Sequence, residues 1–237
     1  MENFFITYFA LVLVVICGFL WRLLRKAQRN AYIRSFSLPP GLYEKLILRH
    51  PHLTLKDCQL VGKGLRQFFL AYHNGGYRPV SMPSQVADDL WHDFILYTRH
   101  YQLFCDQAFG RFLHHSPAAV LSSKKDTNEG LRRCWVQVCK EELIDPRQPS
   151  RLPLLFALDS KLEIANGFYY AADCSGLQCK DKDGTVDSGA AVYSGSDFSS
   201  SSYDGGTSGF DCGSGSDGGS GGDSGGGCSG GCGGGGD

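Results

Sequence analysis

The chain has no phosphate-binding glycine loop, no Ser-His-Asp grouping and no Cys-x-x-Cys pair. Their absence leaves no motif for nucleotide hydrolysis, serine-type acyl transfer or dithiol exchange. There is no His-Glu-x-x-His helix either, so no strong zinc motif is present. An excess of one charge is also lacking: the 237 residues carry a net charge of −1. That value averages unlike parts. Residues 25–173 hold 20 Lys+Arg against 14 Asp+Glu, or +6, and residues 174–237 hold 2 lysines against 9 aspartates, or −7. The excess in the middle part is modest and follows segments that also carry acids, so no nucleic acid is indicated as a partner.

Between Phe4 and Trp21 there is no charge at all. The run "FFITYFALVLVVICGFLW" has 18 residues, and a helix of that length reaches roughly 27 Å. A hydrocarbon core is about 30 Å thick. With Leu23 and Leu24 added, residues 4–24 are expected to form a transmembrane helix in contact with membrane lipid. A cleaved signal peptide would begin with Lys or Arg and end in small residues. This segment begins "MEN" and ends "FLWRLLRK". Glu2 flanks one side, and Arg22, Arg25, Lys26 and Arg29 flank the other. Basic flanks stay cytoplasmic, so the N-terminus is expected outside and the body in the cytoplasm. The ten cysteines are then expected as thiols, since cytosolic proteins seldom keep disulfides.

Residues 25–38 read as a basic juxtamembrane linker ending at Pro39-Pro40. Arg25, Lys26, Arg29 and Arg34 can also meet anionic headgroups, each adding about 1 kcal/mol near the surface. Residues 39–173 read as a compact helical domain, long enough for one core. Helical segments are expected over 41–50, over 54–76 with Thr54 as N-cap, and over 84–109 between Ser84 and Gly110. Another is expected over 126–143, with Asp126 and Glu129 spaced as a capping box. A short helix over 154–159 and an extended stretch turning at Asn166-Gly167 follow. Residues 174–237 hold 22 of the 31 glycines. Such a segment buries too little to offset its ordering entropy, so a disordered Gly/Ser/Asp-rich tail is expected. The fold class is therefore mainly α.

The chemistry gathers in "DDLWHDFILYTRHYQLFCDQAFGRFLHHSP", residues 88–117, which holds four of the seven histidines. On one straight helix, Leu90, Phe94, Tyr97, Tyr101, Phe104, Cys105 and Ala108 lie opposite His92. Cys105 then reads as a small core residue, and His100 as a surface or bundle-edge residue. Leu96 and Leu103 share the side of His92, which suggests a central helix with a buried histidine. Asp88 and Asp89 both lie one turn before His92. One reading is an Asp–His hydrogen bond orienting a core imidazole. The other is a divalent transition-metal site, such as zinc, formed by Asp89, His92, His114 and His115. Cys134 and Cys139 stand about 140° apart on their helix, so one of them is expected in the core. The cysteines of "CSGLQC" and "CSGGC" have no histidine near.

The order Asp88-x-x-Trp91-His92, Tyr101-x-x-Phe104-Cys105, Phe109-Gly110, His114-His115-x-Pro117 resembles a group of bacterial membrane-anchored proteins described as glycine-rich domain-containing. It resembles plant glycine-rich domain proteins more distantly. Those tend to have Trp-His-x-His, and this chain has Phe94 at the last position. The resemblance spans roughly residues 80–172 and the Gly/Cys-ending tail. It implies a shared helical body in a bacterial inner membrane protein and implies no activity. Two functions stay open: a cytoplasmic binding or scaffolding domain with a protein partner, or a metal-dependent hydrolase centred on Asp89, His92, His114 and His115. The hydrolase would draw a general base from Asp88 or Asp93.

Overall fold

The computed structural model describes residues 2–115, 124–172 and 192–194. The elements run α1 Glu2–Ser35, α2 Leu42–Arg49, α3 Leu55–Asn74, α4 Gln85–Leu96, α5 Thr98–Ala108, α6 Lys124–Glu141, α7 Leu154–Lys161, β1 Tyr169–Ala171 and β2 Val192–Ser194. The fold is mainly α, as expected. The N-terminal helix is long and apolar enough to cross a membrane, and none of its apolar window is buried inside the protein. Phe4 is 77% exposed and Phe9 and Val14 are each 70% exposed. A continuous apolar surface of this length exceeds what soluble monomers leave to water.

Residues 25–38 are not a linker along most of their length. The first helix runs unbroken to Ser35, and its last turns enter the body. Ile33 is fully buried. Tyr32 and Phe36 lie 6.0 and 4.5 Å from Phe104, centroid to centroid. Arg34 forks onto both carboxylate oxygens of Glu141 at 2.9 and 2.8 Å. The apolar helix is therefore joined to the body by packing as well as by chain.

The centre of the body is α3, against which α1, α2, α4, α6 and α7 all pack. Its start is the expected one. Thr54 accepts from the Asp57 N–H, and Asp57 accepts from the Thr54 N–H, a reciprocal cap. Twelve of its 20 residues are buried. Gly64 is needed for close approach, because a Cβ there would stand 2.5 Å from Leu158 Cδ1. Phe69 forms the hub of the aromatic core, with Phe104 at 4.8 Å and Phe68, Trp91 and Phe109 at 6.1 Å.

The single helix expected over 84–109 is two helices. Ser84 caps the first by accepting from the Ala87 N–H, and Gly110 ends the second at φ +69°. Between them Tyr97 leaves helical geometry at ψ 58°, and its N–H bonds back to the Phe94 carbonyl at 3.0 Å. No glycine or proline marks the break. Its gain is tertiary: the Tyr101 hydroxyl donates to the Leu113 carbonyl at 2.6 Å and accepts from the Trp91 indole at 3.2 Å. Burial pushes this phenol well above its ordinary range.

The remaining helices depart from expectation in smaller ways. The sixth helix, α6, begins at Lys124, two residues before the start expected at Asp126. Cys134 and Cys139 are both fully buried free thiols, where one was expected in the core. Burial raises both, Cys139 to about 12. The last helix, α7, runs one half-turn past Asp159, and Asn166 takes the expected turn at φ 60°. One part of the expected tail is a strand: Val192–Ser194 pairs in parallel with Tyr169–Ala171. The rest of the region read as a disordered tail lies outside the described residues.

Asp159 joins these parts. It is 1% exposed and accepts from the Ser84 hydroxyl at 2.7 Å and from the N–H groups of Gln85 (2.7 Å), Val86 (3.2 Å) and Phe168 (2.9 Å). A carboxylate at the start of α4 satisfies its free N–H groups and suits its dipole.

Candidate metal centre

Asp88 and His92 stand one turn apart on the outer edge of α4. His115 reaches them from the segment after α5. Gly110 turns the chain, and the Tyr101 hydroxyl holds the Leu113 carbonyl, which sets the path two residues before His115. The His115 Nε2 lies 3.0 Å from Asp88 Oδ1, and His92 Nδ1 lies 3.7 Å from Asp88 Oδ2. The two imidazoles stand 4.3 Å apart, and His115 also lies against the Trp91 ring at 4.5 Å. Asp88, His92 and His115 can each offer one ligand atom within 4.8 Å of the others.

These separations suit one small cation. Zinc binds imidazole nitrogen and carboxylate oxygen at about 2.0–2.2 Å, so ligand atoms around a tetrahedral ion stand about 3.3 Å apart. Two imidazoles and one carboxylate also form the ligand set of several transition-metal sites. His92 is 46% exposed at its side chain, so the cluster opens to solvent.

The structure brings together two of the four residues read from the sequence, His92 and His115. Asp89 is turned away: its carboxylate lies 2.8 Å from His50 Nε2 and 3.4 Å from Arg49. His114 is exposed and packs against Phe112 with ring centroids 4.7 Å apart, tilted by 55°. Asp88 takes the place expected for Asp89. His92 is not the buried imidazole of a central helix, since Leu96 on its side is 70% exposed and Leu103 is 52% exposed. Cys105 is fully buried and His100 is exposed, both as expected. Asp93 is buried and bonded to Arg49 at 3.1 Å.

The partners of Asp89 and Asp93 had no reading in the sequence. Arg49 and His50 end α2, nearly 40 residues upstream, and they fix the other carboxylate edge of α4. The available signal was "RHPH", a basic cluster at a helix end, where cations suit the dipole.

No curated protein matches the chain, and no solved structure matches it. A family model described as UCP032817-like matches residues 28–198. The match begins in the basic half of α1, covers every residue of the cluster and ends just past β2. The chain is a member of the UCP032817-like family.

Proposed function

We propose that the chain is a membrane-anchored binding module whose cytoplasmic helical body holds one divalent transition-metal ion, of the zinc class, between Asp88, His92 and His115. The observation that carries this reading is the convergence of the three ligand atoms within 4.8 Å from two separate segments. A carboxylate and two neutral imidazoles are suitable donors for such an ion. The Trp91 ring beside His115 and the Tyr101–Leu113 bond restrict how far that ligand can move, and such outer contacts orient first ligands.

The anchor is supported by the exposed apolar helix, and its orientation by Arg22, Arg25, Lys26 and Arg29 on the body side. The resemblance to bacterial membrane-anchored proteins favours an inner membrane. A hydrolase at the same cluster would need a base beside the ion. Asp93 is held by Arg49, and Asp88 serves as a ligand. A binding site needs no such base, so the binding reading is preferred.

Full-length protein extracted in detergent should carry about one transition-metal equivalent, and chelator should lower its Tm, because a ligand that binds only the folded state stabilises it. Protein that contains no such metal, and whose Tm does not respond to added zinc, overturns the metal reading. A reporter fused after Asp237 should be active on the cytoplasmic side. Activity on the outer side overturns the orientation.

A further inference from the structure

At the junction of the apolar helix and the body lies a cavity of about 370 Å³ whose lining includes Arg22, Arg25, Lys26, Arg29, His73 and Tyr77. Four of these residues are permanent cations and none is an acid. Four arginines elsewhere in the body pair with carboxylates: Arg34 with Glu141, Arg49 with Asp89 and Asp93, Arg133 with Glu129, and Arg151 with Glu142. Among the described residues, no carboxylate pairs with Arg22, Arg25, Lys26 or Arg29. Arg29 instead donates to the Tyr77 hydroxyl at 2.9 Å, and Arg25 lies over the Trp21 ring at 4.7 Å. Among the described residues, the cavity is a concentration of positive charge with no carboxylate in its lining.

His73 provides a second, independent observation. It is 5% exposed, and neither ring nitrogen has a hydrogen-bond partner. The Lys26 backbone approaches the ring, but no bond of normal geometry forms. Buried polar groups in folded proteins are nearly always satisfied. An imidazole with no fully formed hydrogen bond in the wall of a cationic cavity has room for an acceptor, and an anion would supply one.

The depth of the cavity identifies the class of anion. The uncharged run ends at Trp21, and the four cations follow within two turns. Tryptophan marks the membrane–water boundary, so these side chains lie where phospholipid phosphates lie. Basic sites next to a transmembrane helix on the cytoplasmic face bind anionic headgroups. We infer that the cavity formed by Arg22, Arg25, Lys26, Arg29 and His73 is a binding site for the phosphate of an anionic phospholipid. The inference rests on the membrane-anchor part of the proposed function and not on the metal.

The test uses full-length protein, with histidine ring nitrogens labelled, in uncharged detergent. It is titrated separately with phosphatidylglycerol, phosphatidylcholine and inorganic phosphate, and the His73 ring resonance is followed. Phosphatidylglycerol should shift that resonance, and phosphatidylcholine should not. Neutralising exposed Arg25 and Lys26 together as Arg25→Gln/Lys26→Gln should weaken the response by about thirtyfold. His73→Gln should remove the resonance while lipid still raises Tm less than in wild type. An unmoved His73 resonance with every additive overturns the site. An equal response to phosphatidylcholine overturns charge selection. A response to inorganic phosphate at the same concentration as to lipid overturns the lipid assignment. Failure of the anchor itself would appear separately, as release of the protein from membranes by alkaline wash.

Discussion

The Trp91 indole donates to the Tyr101 hydroxyl at 3.2 Å, although ten residues separate them. On an unbroken helix ten residues span about 15 Å along the axis. The break at Tyr97 folds α5 back so that both rings and the Leu113 carbonyl form one buried chain of hydrogen bonds. That chain sets the path leading to His115. Tyr101→Phe should leave the Trp91 N–H and the Leu113 carbonyl unsatisfied, at a cost of about 1–3 kcal/mol. Denaturant unfolding of the variant measures it, and metal affinity should fall with stability because His115 is less firmly placed. Unchanged stability would show that the break has another cause.

Asp159→Ala removes the acceptor for three backbone N–H groups and one hydroxyl. The expected loss is on the order of 3 kcal/mol or more, because each unsatisfied buried group costs about 1–3 kcal/mol. Asp159→Asn keeps one acceptor oxygen and should lose less. Hydrogen exchange should quicken first at Gln85, Val86 and Phe168. Equal losses in the two variants would mean that packing, and not the hydrogen bonds, sets the cost.

Much of this architecture is legible in the sequence where its cause is local. Thr54 and Ser84 cap their helices as their side-chain chemistry requires, and Gly110 stops α5 in a left-handed conformation. The break at Tyr97 is not legible, because its cause is a carbonyl sixteen residues onward. The choice between Asp88 and Asp89 is equally non-local. Both lie within a turn of His92, and it is Arg49 and His50, docked from α2, that claim Asp89. Phe112 likewise takes His114, leaving His115 for the cluster. Leu96 and Leu103 mislead because an apolar side chain counts toward a buried face whether or not another element covers it, and here both stay more than half exposed.

The buried His73 makes stability depend on pH. Burial holds its imidazole below its ordinary value; the Lys26 backbone pulls it up, and the Arg29 and Lys26 charges push it down. The unfolded chain therefore takes up this proton near pH 6.5, and the folded chain only at lower pH. Between those values the unfolded state binds more protons, so stability rises with pH. The contribution is complete above about pH 6.5 and is lost as pH falls through the folded value. Unfolding free energy, compared from about pH 7 to about pH 5, should fall more steeply in wild type than in His73→Gln. Parallel profiles would place a partner on His73 that neutralises the effect of burial.

The most direct measurement is a calorimetric zinc titration of metal-stripped full-length protein in two pairs of neighbours. Asp88→Asn and His115→Ala should each lose high-affinity binding, as should His92→Ala. Asp89→Asn and His114→Ala should bind as wild type does, because Asp89 faces His50 and His114 lies on Phe112. Binding that survives Asp88→Asn and His115→Ala but is lost in Asp89→Asn and His114→Ala would contradict the geometry and move the site to the other edge of α4.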